Sequence, residues 1–217
     1  MILYGSSLSP FVRKVLAYAG EKGIELDLQA TGFPNHHEEF CAASPFKKMP
    51  ALADGSFRLA DSTAIIHYLE AKFPEPAMIP RDPELLGKTM WYEEFADTIL
   101  VACGAKMFFH RVVSPRFLGR PGDDDIADTA EREELPPLLD YLERVVPNED
   151  DGFLVGDQIT VADLAVASPF ANLGHLNVRI DDGRHRRLKA YVHRILSRPS
   201  FATWIEREKA LIAPDAA

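Results

Sequence analysis

The stretch "SPFKKMPALADGSFRLADSTAII", residues 44–66, decides the fold. A basic pair, Lys47-Lys48, leads into a proline corner at Pro50, and two short apolar runs, "PALA" and "FRL", flank Asp54-Gly55. An Asp-Gly pair between two such runs predicts a β-hairpin, because the turn needs a residue that accepts positive φ. Asp61 then stands before Ile65, Ile66, Leu69 and Phe73, whose three- and four-residue spacing predicts a helix capped by the Asp61 carboxylate.

Upstream, "ILY" (2–4) is a strand, "PFVRKVLAYAGEKG" (10–23) a helix and "ELDLQ" (25–29) a strand with period-2 alternation. Pro10 suits the first helical turn, where no N–H is needed, and Gly23 suits its end. A strand, a helix and a strand within about 30 residues predict a parallel pair joined by a right-handed crossover. "HEEFCAA" adds a short helix. The order β-α-β-α-β-β-α is that of a thioredoxin-like domain with a mixed sheet.

"FPEPAMIPRDPE", residues 73–84, carries Pro74, Pro76, Pro80 and Pro83, a density that helices and central strands do not tolerate. The expected division is therefore 1–77 as the first domain, 78–86 as linker and 87–217 as an all-α domain. Charge divides in the same place: residues 1–83 hold eight Lys/Arg against ten Asp/Glu, the remainder sixteen against twenty-three. Beyond the linker Leu86, Met90, Trp91, Phe95, Ile99, Cys103 and Met107 predict one long amphipathic helix. "RPGDDD" (120–125) punctuates, and Pro136-Pro137 bend or break the helix that follows. Thr160, Asp163, Ile159 and Leu164 form a capping box with a hydrophobic staple, which starts a buried helix at about residue 161. Two more helices, 184–196 and 201–210, are separated by Arg198-Pro199.

A formal charge of −9 gives a nucleic-acid backbone no general reason to bind, since such binding depends on Lys and Arg displacing counterions. Cys41 and Cys103 are the only cysteines, so no CxxC pair and no zinc-ligand spacing exists. His67, His175 and His193 lack partners at metal-ligand spacing. No apolar stretch approaches the roughly 20 residues of a membrane helix, and "MILYGSSLSPFVRKV" has no signal-peptide pattern. An acidic cytoplasmic enzyme without a metal is the expectation.

In "YGSSLSPFV", Ser9 stands just before a helix N-terminus, where unpaired N–H groups and the macrodipole favour an anion. On these residues alone Ser9 is as readily a plain N-cap, and Ser6 and Ser7 share its loop. Four stretches, "LSPFVRKV", "KKMPAL", "DSTAII" and "ITVADL", in this order around a Pro-rich linker, resemble the cytosolic glutathione transferases over nearly the full chain. "SPF" is similar to serine-type members, tau- or zeta-like or an unclassified bacterial-type relative. "SSLSPF" keeps only part of the zeta group's Ser-Ser-Cys-Ser run. The cysteine that omega-type relatives carry at the Ser9 position is absent, and with it the nucleophile for mixed-disulfide chemistry.

The resemblance implies that Ser9 contacts the sulfur of glutathione, the co-substrate, with Ser6, Ser7 and Tyr4 as alternatives. It implies a cis Met49-Pro50 corner facing the cysteinyl backbone, Lys48 and His36 toward the glycyl carboxylate, and Asp61 and Ser62 at the γ-glutamyl end. A thiol of pKa ~8.5 is about 3% ionised at neutral pH, and a depression of ~2 units corresponds to about 2.7 kcal/mol. A helix N-terminus supplies ~0.3–1 kcal/mol and a charge-assisted hydrogen bond ~1.5–3, so neither is comfortably sufficient alone and the expectation is that the Ser9 hydroxyl and the start of the helix act together. Leu8, Met107, Phe108, His110 and Arg111 are the implied electrophile contacts. The implied activity is addition of the glutathione thiolate to a hydrophobic electrophile by a homodimer. A glutathione-dependent isomerase or lyase/dehalogenase, or a non-catalytic assembly module, could use the same fold.

Overall fold

The computed structural model describes residues 1–31, 38–148 and 151–213. The chain divides into two compact units, Met1–Met78 with Pro199–Ala217, and Ile79–Arg198. In the first unit, β1 (Ile2–Tyr4), α1 (Pro10–Glu21), β2 (Asp27–Gln29), α2 (Glu38–Ala43), β3 (Ala51–Asp54), β4 (Phe57–Ala60) and α3 (Ser62–Lys72) follow the order expected of a thioredoxin-like domain. The sheet runs β2-β1-β3-β4, with β1 and β2 parallel and the other neighbours antiparallel. α1 is the crossover that the parallel pair requires.

Register sorts the two faces of this sheet. Leu3 pairs with Leu52 and Leu52 with Leu59, while Tyr4 pairs with Ala51 and Ala51 with Ala60. Strand side chains alternate, so these two rows lie on opposite faces. The Tyr4 row, with Ala53, packs against Phe40 and Ala43 of α2. The β3–β4 loop is Gly55-Ser56, and Gly55 has the positive φ (58°) that tight hairpin turns require. Ile65, Ile66 and Leu69 of α3 are fully buried.

α1 is buried from Val12 through Ala19 because it packs on two helices, α3 and the C-terminal α10 (Pro199–Ile212). Arg13 and Glu208 meet between α1 and α10 with both side chains fully buried: Arg13 Nε donates to Glu208 Oε1 at 2.9 Å and Nη2 to Oε2 at 2.8 Å. A pair of parallel N–H···O bonds is the geometry in which a guanidinium and a carboxylate best compensate each other's lost water.

The second unit contains α4 (Pro83–Glu94), α5 (Val101–Phe108), α6 (Asp124–Thr129), α7 (Leu135–Val145), α8 (Val161–His175) and α9 (Arg186–Leu196). The helical run from Pro83 to Phe117 is continuous, but wide π-type turns interrupt it at Phe95–Leu100 and Phe109–Phe117. The expected apolar stripe along it needs correction. Phe95, Cys103 and Met107 are buried, whereas Trp91 and Ile99 are 51% and 42% exposed. Thr89 and Glu93 occupy core positions instead. Thr89 and Glu93 precede the first π turn and are buried on α4, the helix that packs against α8, while Ile99 lies within that turn, where a 3.6-residue period does not hold. A third π turn, Ala130–Glu134, precedes α7, which restarts with Pro136 and Pro137 in its first turn, where their missing N–H groups cost nothing.

α8 is buried along almost its whole length and packs on α4, α5 and α9. Its start is the expected capping box. Asp163 accepts from the Thr160 N–H at 2.9 Å, and also from the Leu154 N–H (2.9 Å) and the Tyr191 hydroxyl (2.7 Å). Among the described residues no helix is long and apolar enough to cross a membrane.

Candidate functional site

The site residues of the first unit lie where β1, β3 and α3 end or begin. Tyr4 pairs with Ala51, so the turn leaving β1 runs beside Pro50, the residue that enters β3. Gly5 lets this turn pass close to α1: a Cβ there would stand 2.6 Å from Val12 Cγ2, whereas Met49 Cβ, at 3.5 Å, would be an ordinary contact. The Met49-Pro50 bond is cis. The Asp61 N–H donates to the Pro50 carbonyl at 3.3 Å, which ties the start of α3 to the same corner.

Ser9 is the N-cap of α1. Its N–H donates to the Ser6 carbonyl and its carbonyl accepts from the Arg13 N–H, both at 2.9 Å, but its hydroxyl makes no capping hydrogen bond. The neighbours differ. Ser7 is buried, and the Ser6 hydroxyl oxygen accepts from the Leu8 N–H at 3.4 Å. Tyr4 is buried against Phe40, ring centroids 6.4 Å apart, with its hydroxyl 3.4 Å from Glu39 Oε2. Burial first and the Glu39 carboxylate second push the Tyr4 phenol above its ordinary pKa. Tyr4 is thus a protonated, packed phenol directed at α2.

At the proline corner, Lys48 is exposed while its backbone is fixed on both sides by one buried hydroxyl. Ser44 Oγ donates to the Lys48 carbonyl at 2.7 Å and accepts from the Lys48 N–H at 3.0 Å. Sequence reasoning assigned Ser44 no role; its signal is a serine four residues before a lysine in a loop too short for secondary structure. Lys47 beside it has φ 55°.

Asp61 caps α3 by accepting from the Ala64 N–H at 3.1 Å. Its φ of 81° is uncommon for a residue with a Cβ, and such conformations persist only where surroundings hold them. Here three bonds do so: to Pro50, from Ala64, and from the Ile65 N–H to the Asp61 carbonyl at 3.0 Å. Ser62, the first residue of α3, is buried. His36 lies outside the described residues.

Of the implied electrophile contacts, Leu8 belongs to the first unit and the other four to the second. Leu8, Met107 and Phe108 are buried. His110 Nδ1 accepts from the Asp123 N–H at 3.0 Å, and Arg111 pairs with Asp128 at 2.8 Å and with Glu131. His110 is thus held by the residue that caps α6, and Arg111 by α6 and the π turn after it. Cys103 is buried, and burial first and Glu134 second push its thiol up to about 11, which disfavours the thiolate. Among the described residues no three His, Cys, Asp or Glu side chains gather as metal ligands.

Two family models match the chain in succession. Residues 3–77 match the model of the glutathione S-transferase N-terminal domain, and residues 117–208 that of the glutathione S-transferase C-terminal domain. A glutathione S-transferase of Hyoscyamus muticus is 30% identical over 212 residues, 95% of this chain and 98% of that protein. Glutathione S-transferase theta-3 of Mus musculus is 29% identical over 214 residues, 96% of this chain and 81% of that protein. A glutathione S-transferase of Methylobacterium radiotolerans, solved in complex with glutathione sulfonate, superposes with a TM-score of 0.76 at 26% identity, over 94% of this chain and 93% of its own. The chain belongs to the glutathione S-transferase family.

Proposed function

We propose that the protein is a serine-type glutathione transferase that binds glutathione on its first unit, ionises the thiol and adds the thiolate to a hydrophobic electrophile. The observation that carries this reading is Ser9, an N-cap serine whose hydroxyl is not used for capping. A hydroxyl at that place can donate to a sulfur anion while the start of α1 adds its field. The thiol proton leaves to solvent. A sulfur lone pair then forms the C–S bond, and either a leaving group departs with its electron pair or the electrophile takes up a proton.

In this proposal Met49 and Pro50 present the extended backbone that the cysteinyl residue pairs with. Lys48 and His36 meet the glycyl carboxylate, and Ser62 with the N-terminus of α3 takes the γ-glutamyl carboxylate, with Asp61 toward its amino group. Leu8, Met107, Phe108, His110 and Arg111 are the electrophile contacts. Residues 1–77 are assigned as the glutathione-binding domain, 78–86 as linker and 87–217 as the helical region, in a cytoplasmic homodimer that needs no metal. Support comes from family membership and from the relative solved with glutathione sulfonate.

The test follows the ultraviolet absorbance of the glutathione thiolate on wild type and Ser9→Ala across pH. The wild type is expected to titrate the thiol well below its free value, and Ser9→Ala to raise it by roughly one unit or more, the worth of one hydrogen bond to a charged group. Binding with an unchanged titration in Ser9→Ala moves the role to Ser6 or Ser7; failure of glutathione to bind removes the proposal.

A further inference from the structure

A groove of about 530 Å³ opens on the first unit between the later half of α1, the segment leading into β2, and α10. Its α1 wall, Leu16 and Ala19, lies seven and ten residues past Ser9, or roughly 10–15 Å at 1.5 Å per residue. The groove is therefore separate from the site described above. We propose that it binds a monovalent organic cation with a compact apolar body, of the aralkylammonium kind.

Three observations choose that ligand. The floor is apolar, with Ile24 and Leu26 added to the α1 residues, and the groove is open along one side, so that a ligand with a charged end can keep that end at the rim. Trp204 of α10 lines it with an indole, the aromatic face that attracts cations best. That ring already holds one: the Arg207 guanidinium sits 4.8 Å from its centroid. Glu25 and Asp27, two residues apart beside the sheet's edge strand, supply carboxylates. Both are exposed and neither is in an ion pair among the described residues; Asp27 accepts only a 3.3 Å hydrogen bond from the Gln29 amide. Met1 also lines the groove and Arg207 stands at the Trp204 ring, but among the described residues neither forms an ion pair with Glu25 or Asp27, and a neutral or anionic ligand would leave the carboxylates unused.

The chain has two tryptophans, so Trp91→Phe leaves Trp204 as the sole indole reporter. Benzyltrimethylammonium titrated into that variant is expected to change Trp204 fluorescence saturably, with and without saturating glutathione. Glu25→Gln combined with Asp27→Asn should weaken binding roughly three- to tenfold, as expected for exposed charge pairs and cation–π contacts. Arg207→Gln, which removes the competing cation, should tighten it. Neopentylbenzene, the neutral isostere, should bind more weakly. No saturable change, an affinity indifferent to the carboxylates, or equal affinity for the neutral probe overturns the proposal. Displacement by glutathione also overturns it, by moving the ligand to the Ser9 site, whereas failure of glutathione to bind would leave the groove's titration intact.

Discussion

Each unit buries a carboxylate completely, and the two are solved in opposite ways. Asp163 in the second unit is surrounded by neutral donors, two of them from residues three and nine positions away in the chain. Glu208 in the first unit is matched by a charge, Arg13, from 195 residues away. Burial costs either carboxylate its hydration. Asp163 meets that cost with dipoles, and burial still holds its pKa above the ordinary value, with the hydrogen bonds from Leu154, Tyr191 and Thr160 opposing. Glu208 meets it with a guanidinium, which makes each partner's burial depend on the other. One arrangement starts a helix; the other joins the C-terminal helix to the helix that begins at Ser9.

Breaking the ion pair should give the largest effect. Glu208→Ala leaves the Arg13 guanidinium buried without this carboxylate, at an expected cost of about 3–5 kcal/mol in urea unfolding. Arg13→Met combined with Glu208→Leu should recover most of it, because a well-packed apolar pair carries no desolvation penalty. A single variant losing less than about 1 kcal/mol would mean that apolar packing, not the ion pair, joins α1 to α10.

The neutral network should break in smaller steps. Tyr191→Phe removes one donor and leaves Asp163 its backbone partners, for an expected loss of about 1–2 kcal/mol by thermal or urea unfolding. Asp163→Ala should cost more than Tyr191→Phe, since the Leu154 and Thr160 N–H groups lose their acceptor together. Equal losses in the two variants would show that the Tyr191 bond carries nearly all of the network's worth.

The same contrast explains what was legible in the sequence. Thr160 and Asp163 lie three residues apart, so their geometry follows from one helical turn. The hairpin, the Asp61 cap and the strand-helix order are local in the same sense. Arg13 and Glu208 are each an ordinary charged residue on an amphipathic helix until α10 is placed on α1. The long helix after the linker was legible as a helix but not in its whole buried face, because Thr89 and Glu93 are buried polar residues that a hydrophobic pattern passes over and because Ile99 lies in a π turn. At the candidate site, Ser9, Lys48, Pro50, Asp61 and Ser62 stand out by motif; Ser44 does not, since its hydroxyl acts on the backbone of Lys48. Ser44→Ala should cost about 1 kcal/mol of stability and raise KM for glutathione several-fold with kcat little changed. A change in kcat alone would place Ser44 in the chemistry instead.

The smallest effect belongs to a third carboxylate that lies at the sheet's rim. Asp54 accepts from the Tyr68 hydroxyl at 2.6 Å and pairs with Lys72. Hydrogen bonds from Lys72 first and Tyr68 second hold its pKa below 3.8, the reverse of Asp163. The sign follows from proton uptake: when pH falls below 3.8 the unfolded chain protonates this carboxyl before the folded one does, so folding loses stability there. Above that window the contribution is complete. Asp163, with its pKa raised, works the other way, favouring the fold at low pH and losing that contribution as pH rises from 3.8 through its folded value. Asp54→Asn should therefore be less stable than wild type at pH ~6, with the difference shrinking as the pH is lowered below 3.8. Urea midpoints of both proteins across that range measure it. A difference that stays constant would mean that the Tyr68–Asp54 contact, which an asparagine oxygen can also accept, outweighs the charge on Lys72.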